Sequence, residues 1–145
     1  MTFREMLVED LEQVVDIESE PFFCTVDKRR LSYLSDEKRH HVFLWWKKKE
    51  RILGYCSMMT VLDEGDILNV AVRSDRQKEG IGQFLVDSML RMAEMQGIKL
   101  VHLEVRQGNE TARRLYQRLG FKEDGLRRNY YENPVENAVL MTKEM

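Results

Sequence analysis

The chain has 145 residues, of which 43% are hydrophobic and 33% charged, and its formal net charge is −2. That length suits one domain, residues 1–145, with apolar side chains enough for a core and a composition that excludes disorder. The charge leaves no electrostatic footprint for nucleic acid, and no apolar run approaches the roughly 20 residues of a membrane span.

Thr2–Met6 reads as a short strand. In "EDLEQVVDIESE" the residues Leu11, Val14, Val15 and Glu18 recur at helical spacing until Pro21 breaks the run. "DKRRLSYLSDEKRHH" reads as a weaker second helix that runs into a charged loop. "VFLWW" and "ILGYCSMMTV" are rich in β-formers and are joined by the polar turn "KKKER". "DEGD" makes another turn, and "ILNVAV" is the next strand. A long amphipathic helix follows, with Ile81, Phe84, Leu85, Met89 and Met92 on one side and Gly97 at its end. "KLVHLEV" is a strand, Asn109 is the N-cap of the helix "ETARRLYQRL", and Gly120 closes that helix. "FKEDGL" and "NAVLMTKEM" form a final pair of strands, with Tyr130 and Tyr131 in the loop between them. This order is not a regular βα alternation. It predicts an α/β (α+β) fold: a mixed, mostly antiparallel central sheet with helices on both faces.

Gly80 and Gly82 stand where the long helix begins, after a strand and a loop. The first N–H groups of a helix lack internal partners and the macrodipole is positive there, so an anion such as a phosphate is favoured. Glycines let that backbone be approached closely; the plain alternative is an ordinary turn. The Walker A form fails, because Gly82 is followed by Gln83 and Phe84 rather than Lys and Ser or Thr. The dinucleotide form fails for want of a third glycine.

Gln77-Lys78-Glu79-Gly80-Ile81-Gly82 does fit the pattern Q/R-x-x-G-x-G/A, and it resembles the acetyl-CoA signature of the GNAT N-acetyltransferases. "LEVRQGNETARRLYQRLGFKEDGLRRNYY", Leu103 to Tyr131, is similar to the C-terminal half of the RimI-type branch, the ribosomal-protein-alanine N-acetyltransferases. It is also similar to the catalytic subunits of eukaryotic N-terminal acetyltransferases. The resemblance runs from about Ile67 to the end, and the opening "FREMLVEDLEQVVDIE" matches in style. It implies a single GNAT-type domain that uses acetyl-CoA as acetyl donor and acts on a protein N-terminus, with a ribosomal protein as acceptor. Composition, charge and cysteine usage predict a cytoplasmic protein with no metal, nucleic acid or membrane partner, and the sequence leaves monomer and dimer both open.

The chemistry so implied is attack of a neutral amine on a thioester. An α-amine ionises near about 7.7–8 and a lysine near about 10.4, so the α-amine needs only modest help from a base. Alternation in "KLVHLEV" puts Leu100, His102 and Glu104 on one face of the strand. Glu104 matches the family's proton acceptor; a solvated or ion-paired strand residue is the plain alternative. Tyr116 shares a helix face with Ala112, Leu115 and Leu119, where a core tyrosine would also lie, and the resemblance alone makes it the acid that protonates the leaving thiolate. The resemblance also implies that the backbone of Val70, Ala71 and Val72 pairs with the pantetheine and polarises the thioester carbonyl. It likewise implies that Gln77, Lys78, Glu79, Gly80, Ile81, Gly82 and Gln83 hold the pyrophosphate, and that Asn109 bonds the cofactor. Glu79 departs from the basic or neutral residue common there. Tyr130 and Tyr131 match residues that contact the peptide N-terminus. Arg127 and Arg128 read equally well as surface charges or substrate contacts.

RimI-type enzymes carry a P-W-S-like motif after the first helix, whereas here Pro21 is followed by Phe22. The acceptor class is therefore the least constrained part of the reading. A small amine or a lysine side chain is the alternative acceptor, and a non-catalytic CoA-binding module the third class. Cys24 and Cys56 form no CxxC pair and read as free thiols in a reducing compartment, with no neighbouring residue that would activate either as an acetyl carrier. His40 and His41 lack partners at metal-ligand spacing.

Overall fold

A computed structural model describes residues 2–5, 10, 12, 13, 17, 40–47, 51–73, 75 and 80–145. Seven strands are joined in one sheet: β1 (Thr2–Glu5), β2 (His40–Lys47), β3 (Arg51–Val61), β4 (Glu64–Val72), β5 (Leu100–Arg106), β6 (Lys122–Tyr131) and β7 (Glu136–Glu144). Their spatial order is β1-β2-β3-β4-β5-β7-β6. β4 and β5 are the parallel pair, and the remaining neighbours run antiparallel. Two helices complete the described elements, α1 (Ile81–Met95) between β4 and β5, and α2 (Glu110–Arg118) between β5 and β6. That position of α1 is what a parallel strand pair requires, since the chain must cross back over the sheet.

The core follows from the two periodicities. Ile81, Leu85, Val86, Met89, Leu90 and Ala93 line the buried side of α1. Val101, Leu103 and Val105 alternate inward along β5, and Ala112, Leu115 and Tyr116 face the same cluster from α2. Each fully buried Leu, Val or Met side chain contributes about 1.5–3 kcal/mol by leaving water. The Cys56 thiol lies 3.7 Å from the Leu85 carbonyl oxygen, and a Cβ on Gly54 would meet Leu85 and Ile81, so these β3 positions face α1. Their strand neighbours Tyr55 and Ser57 therefore face the other way.

Three expectations need adjusting. Phe84 is 42% exposed rather than part of the buried stripe, and its ring meets Phe3 edge to face at 6.2 Å. Its place at the border of the helical stripe explains why the spacing included it. His40 and His41 belong to β2, not to the end of a helix. Tyr130 and Tyr131 end β6 rather than lying in the following loop, because pairing with β7 breaks after Arg127 and resumes at Tyr131. Of the first predicted helix, Glu12, Gln13 and Ile17 are helical; the second lies outside the described residues apart from the two histidines.

Candidate active site

Pairing between β4 and β5 covers Glu64–Leu100, Gly65–Val101 and Asp66–His102, and then stops. β4 nevertheless continues to Val72 and β5 to Arg106. Each stays bonded to its other neighbour, β4 to β3 and β5 to β7. The two strands thus part like the arms of a V, and the backbone of Ile67–Val72 that faces β5 is left without a ladder. Ser57 pairs with Asn69 and Met58 with Ile67, so Leu68 is an extra residue in β4. Such a bulge bends its strand, which accounts for the divergence at this point.

The N-terminus of α1 lies beside the end of β4. A Cβ on Gly82 would stand 3.8 Å from Val72 and 3.9 Å from Leu115, ordinary contact distances. Gly80, the N-cap, adopts φ 78°, a left-handed conformation that glycine takes without strain. It offers no side-chain cap, and the first turn holds no acidic residue. The Phe84 N–H makes the first helical bond, to the Gly80 carbonyl. The glycine pair therefore has two causes. Gly80 is needed for its conformation, and neither glycine puts a side chain at the helix start. Gln77, Lys78 and Glu79 lie outside the described residues.

Alternation places His102, Glu104 and Arg106 on the face of β5 opposite the core. There a cleft of about 1150 Å³ is lined by Asp66, Ile67, Leu68, His102, Glu104, Arg106 and Arg127, and by Tyr130 and Tyr131. The structure thus brings together Glu104 and the two tyrosines picked out by the sequence. Glu104 is partly buried, and its Oε1 lies 3.5 Å from an Arg127 guanidinium nitrogen. The two tyrosine rings meet edge to face at 5.0 Å, and the Arg127 guanidinium stands 5.6 Å from the centre of the Tyr130 ring. Arg128 is exposed.

Sequence reasoning missed two residues here. Asp66 faces the cleft at the point where the strands part. Burial raises its carboxyl above the ordinary value; His102 opposes that shift, and the carboxylates of Glu64 and Glu104 add to it. His102 Nδ1 lies 2.9 Å from Thr142 Oγ1, and Thr142 donates to Asp124 at 2.6 Å. The threonine has only one proton to give, so His102 must be the donor to it, and Nε2 faces Glu64 at 3.6 Å. The alternation that placed His102 with Glu104 was the available signal for this residue.

Tyr116 stands apart from these groups. It is 3% exposed, its ring packs edge to face on Phe121 at 5.7 Å, and it is not among the residues that line the cleft. Asn109 caps α2 as the sequence predicts, accepting from the Ala112 N–H at 3.2 Å. Cys56 is fully buried, and burial pushes its thiol far up, away from the reactive thiolate. Cys24, Pro21 and Phe22 lie outside the described residues. Ser57 and Asn69, partners across the bulge, are buried with polar side-chain atoms that find no hydrogen-bond partner among the described residues. Each such group costs about 1–3 kcal/mol. Among the described residues no group of three or more His, Cys, Asp or Glu could hold a metal ion, and no helix is long and apolar enough to cross a membrane.

Known proteins share this fold. Residues 11–121 match the acetyltransferase (GNAT) family. The ribosomal protein bS18-alanine N-acetyltransferase of Haemophilus ducreyi is 31% identical over 141 residues, covering 94% of this chain and 96% of its own. The crystal structure of the ribosomal-protein-S18-alanine N-acetyltransferase from Escherichia coli superposes with a TM-score of 0.90 at 28% identity, covering 99% of this chain and 92% of that one. A Bacillus subtilis acetyltransferase solved in complex with CoA has a TM-score of 0.81 at 18% identity, over 99% of this chain and 97% of its own, and so shares the fold. The match over residues 11–121, with the parted strands and the bare helix start, shows that the chain belongs to the GNAT family of acetyltransferases.

Proposed function

We propose that this protein transfers the acetyl group of acetyl-CoA to the N-terminal α-amine of a protein, with a ribosomal protein as acceptor. The observation that carries the reading is the cleft in which Glu104, Tyr130 and Tyr131 meet beside the parted strands. The relatives named for ribosomal protein bS18 support the choice of acceptor. The residues fit the donor. The backbone of Val70, Ala71 and Val72 has no ladder toward β5, and so has hydrogen bonds to give to a pantetheine chain. The first N–H groups of α1, from Ile81, Gly82 and Gln83, suit its phosphates, with Gly80 and the preceding Gln77, Lys78 and Glu79 completing the loop. Asn109 is the remaining cofactor contact in this reading.

Acetyl-CoA supplies an acetyl group on a thioester, whose carbonyl carbon is open to a neutral amine. Glu104 accepts the proton that the acceptor's ammonium must lose, directly or through water. A backbone N–H of Val70–Val72 polarises the carbonyl. The amine forms the new C–N bond as the C–S bond breaks, and Tyr116, from the buried face of α2 rather than from the cleft wall, gives its phenolic proton to the departing thiolate; the second proton that the nitrogen sheds on becoming an amide passes to solvent, from which the tyrosine is reprotonated. The product is an amide with free CoA thiol, so the transfer is direct and needs no acetyl-enzyme. Proton-transfer help of this kind contributes typically about 10²–10⁴-fold. Tyr130 and Tyr131 take the backbone of the acceptor's first residues. The cleft carries the carboxylates of Asp66, Glu104, Asp124 and Glu132 beside Arg106, Arg127 and His102, so it is Tyr130 and Tyr131 in its wall, rather than its charge, that favour a peptide over a small polyamine.

Turnover of acetyl-CoA on a panel of N-terminal peptides, N-terminally blocked lysine peptides and small amines tests the reading. The free N-terminal peptides are expected to be the best acceptors by kcat/KM. Preference for a blocked lysine peptide or a small amine would overturn it.

A further inference from the structure

Arg106 ends β5 two residues beyond Glu104, on the same face, and its side chain is largely withdrawn from solvent. Its guanidinium is engaged from several sides by a single stretch of chain. One nitrogen donates to the Pro134 carbonyl at 3.2 Å and to Glu136 Oε1 at 3.3 Å, and the other donates to the Glu132 carbonyl at 3.2 Å. The same group stands 4.4 Å from the centre of the Tyr131 ring, a cation–π distance. Glu136 in turn accepts from the Gly108 N–H at 2.8 Å, tying the start of β7 to the turn after β5.

We infer that Arg106 is a positioning residue for the acceptor site: it clamps the 132–136 turn to the end of β5 and so holds Tyr131 over the cleft that contains Glu104. The inference rests on the reading of that cleft as the acceptor's. β6, which leads into the turn, is exposed along nearly all its length, so little burial fixes the turn from that side. A guanidinium is suited to this work because its planar fork serves two carbonyls and a carboxylate while its face stacks on a ring. A lysine ammonium has one nitrogen and no such face.

Two measurements on the full chain test the clamp. Losing it is expected to raise the acceptor-peptide KM in Arg106→Ala about ten-fold, the scale of one or two charge-assisted bonds, with kcat and the acetyl-CoA KM within about two-fold of wild type. Added guanidinium ion is expected to restore much of the lost peptide affinity, and Arg106→Lys to behave like the alanine variant. Amide exchange of residues 132–136 is expected to quicken in Arg106→Ala. Unchanged exchange would overturn the clamp. Quickened exchange with unchanged peptide KM, or a uniform fall in kcat that guanidinium leaves alone, would overturn its role at the acceptor site. Failure of the cleft reading itself would show in the wild type, as an absence of peptide acetylation, and the inference would fall with it.

Discussion

Asp66 and His102 are the last residues that pair β4 with β5, and everything assigned to the reaction lies beyond them. Up to this point the sheet is continuous. Past it, the Leu68 bulge turns β4 away, and the edge of β4 that faces β5 is left without a ladder. The cleft is therefore a consequence of strand geometry, with side chains added to its walls.

Asp66 is only partly withdrawn from solvent, and that partial desolvation holds its carboxyl above the ordinary value. A carboxyl whose folded value is raised binds its proton more tightly folded than unfolded. Its contribution to stability is thus fully present below the unfolded value, near about 3.9, and is lost as pH rises through the folded value. Asp66→Asn is expected to be more stable than wild type at neutral pH, with the difference fading below about pH 4. Urea unfolding at several pH values checks this, and a variant less stable at pH 7 would contradict it.

Gly80 and Gly82 are expected to fail in different ways. Gly80→Ala meets open space but must hold φ 78°, which costs about 1 kcal/mol or more of stability. Gly82→Ala has room for its Cβ between Val72 and Leu115, whereas Gly82→Val adds two methyls at the helix start. Gly82→Val is expected to remain folded and lose most of its affinity for CoA in calorimetry. Native affinity in that variant would remove the helix start from the cofactor site.

Cys56 is expected to stay silent. Its thiol is buried and held protonated, so the native protein should resist iodoacetamide there, and turnover should follow ternary-complex kinetics. Replacing Cys24 and Cys56 by Ser should leave kcat largely intact. Ping-pong kinetics, or mass spectra with an acetylated cysteine, would show that transfer passes through the enzyme.

Glu104→Gln keeps the shape of the side chain and removes its basicity. Its kcat is expected to fall about 10²–10⁴-fold at neutral pH and less at high pH, where more of the acceptor amine is already neutral. Tyr116→Phe keeps the ring that packs on Phe121, so folding and CoA binding should survive while kcat falls. Small changes in kcat for both variants would leave proximity and carbonyl polarisation as the sources of rate.

Much of this was legible in the sequence because it is local. Alternation in "KLVHLEV" put Glu104 on one face with His102 and away from Val101, Leu103 and Val105, Asn109 declared the cap of α2, and the glycines marked the start of α1. What was hidden is non-local. The parting of β4 from β5 depends on a bulge that no residue type announces, and Asp66 becomes a cleft residue only through it. Arg106 stood in plain view within the L-E-V-R run, but its partners lie on a turn far along the chain. Tyr130 and Tyr131 read as loop residues because an irregular strand and a loop look alike in sequence; the broken register of β6 separates them.

The most direct test is to locate the acetyl group. A peptide with both a free N-terminal alanine and an internal lysine is incubated with the protein and acetyl-CoA, and tandem mass spectrometry assigns the modified nitrogen. The expected result is acetylation of the α-amine alone, lost in Glu104→Gln at neutral pH. Acetyl on the lysine, or none on the peptide while a small amine is consumed, would contradict N-terminal acetyltransfer.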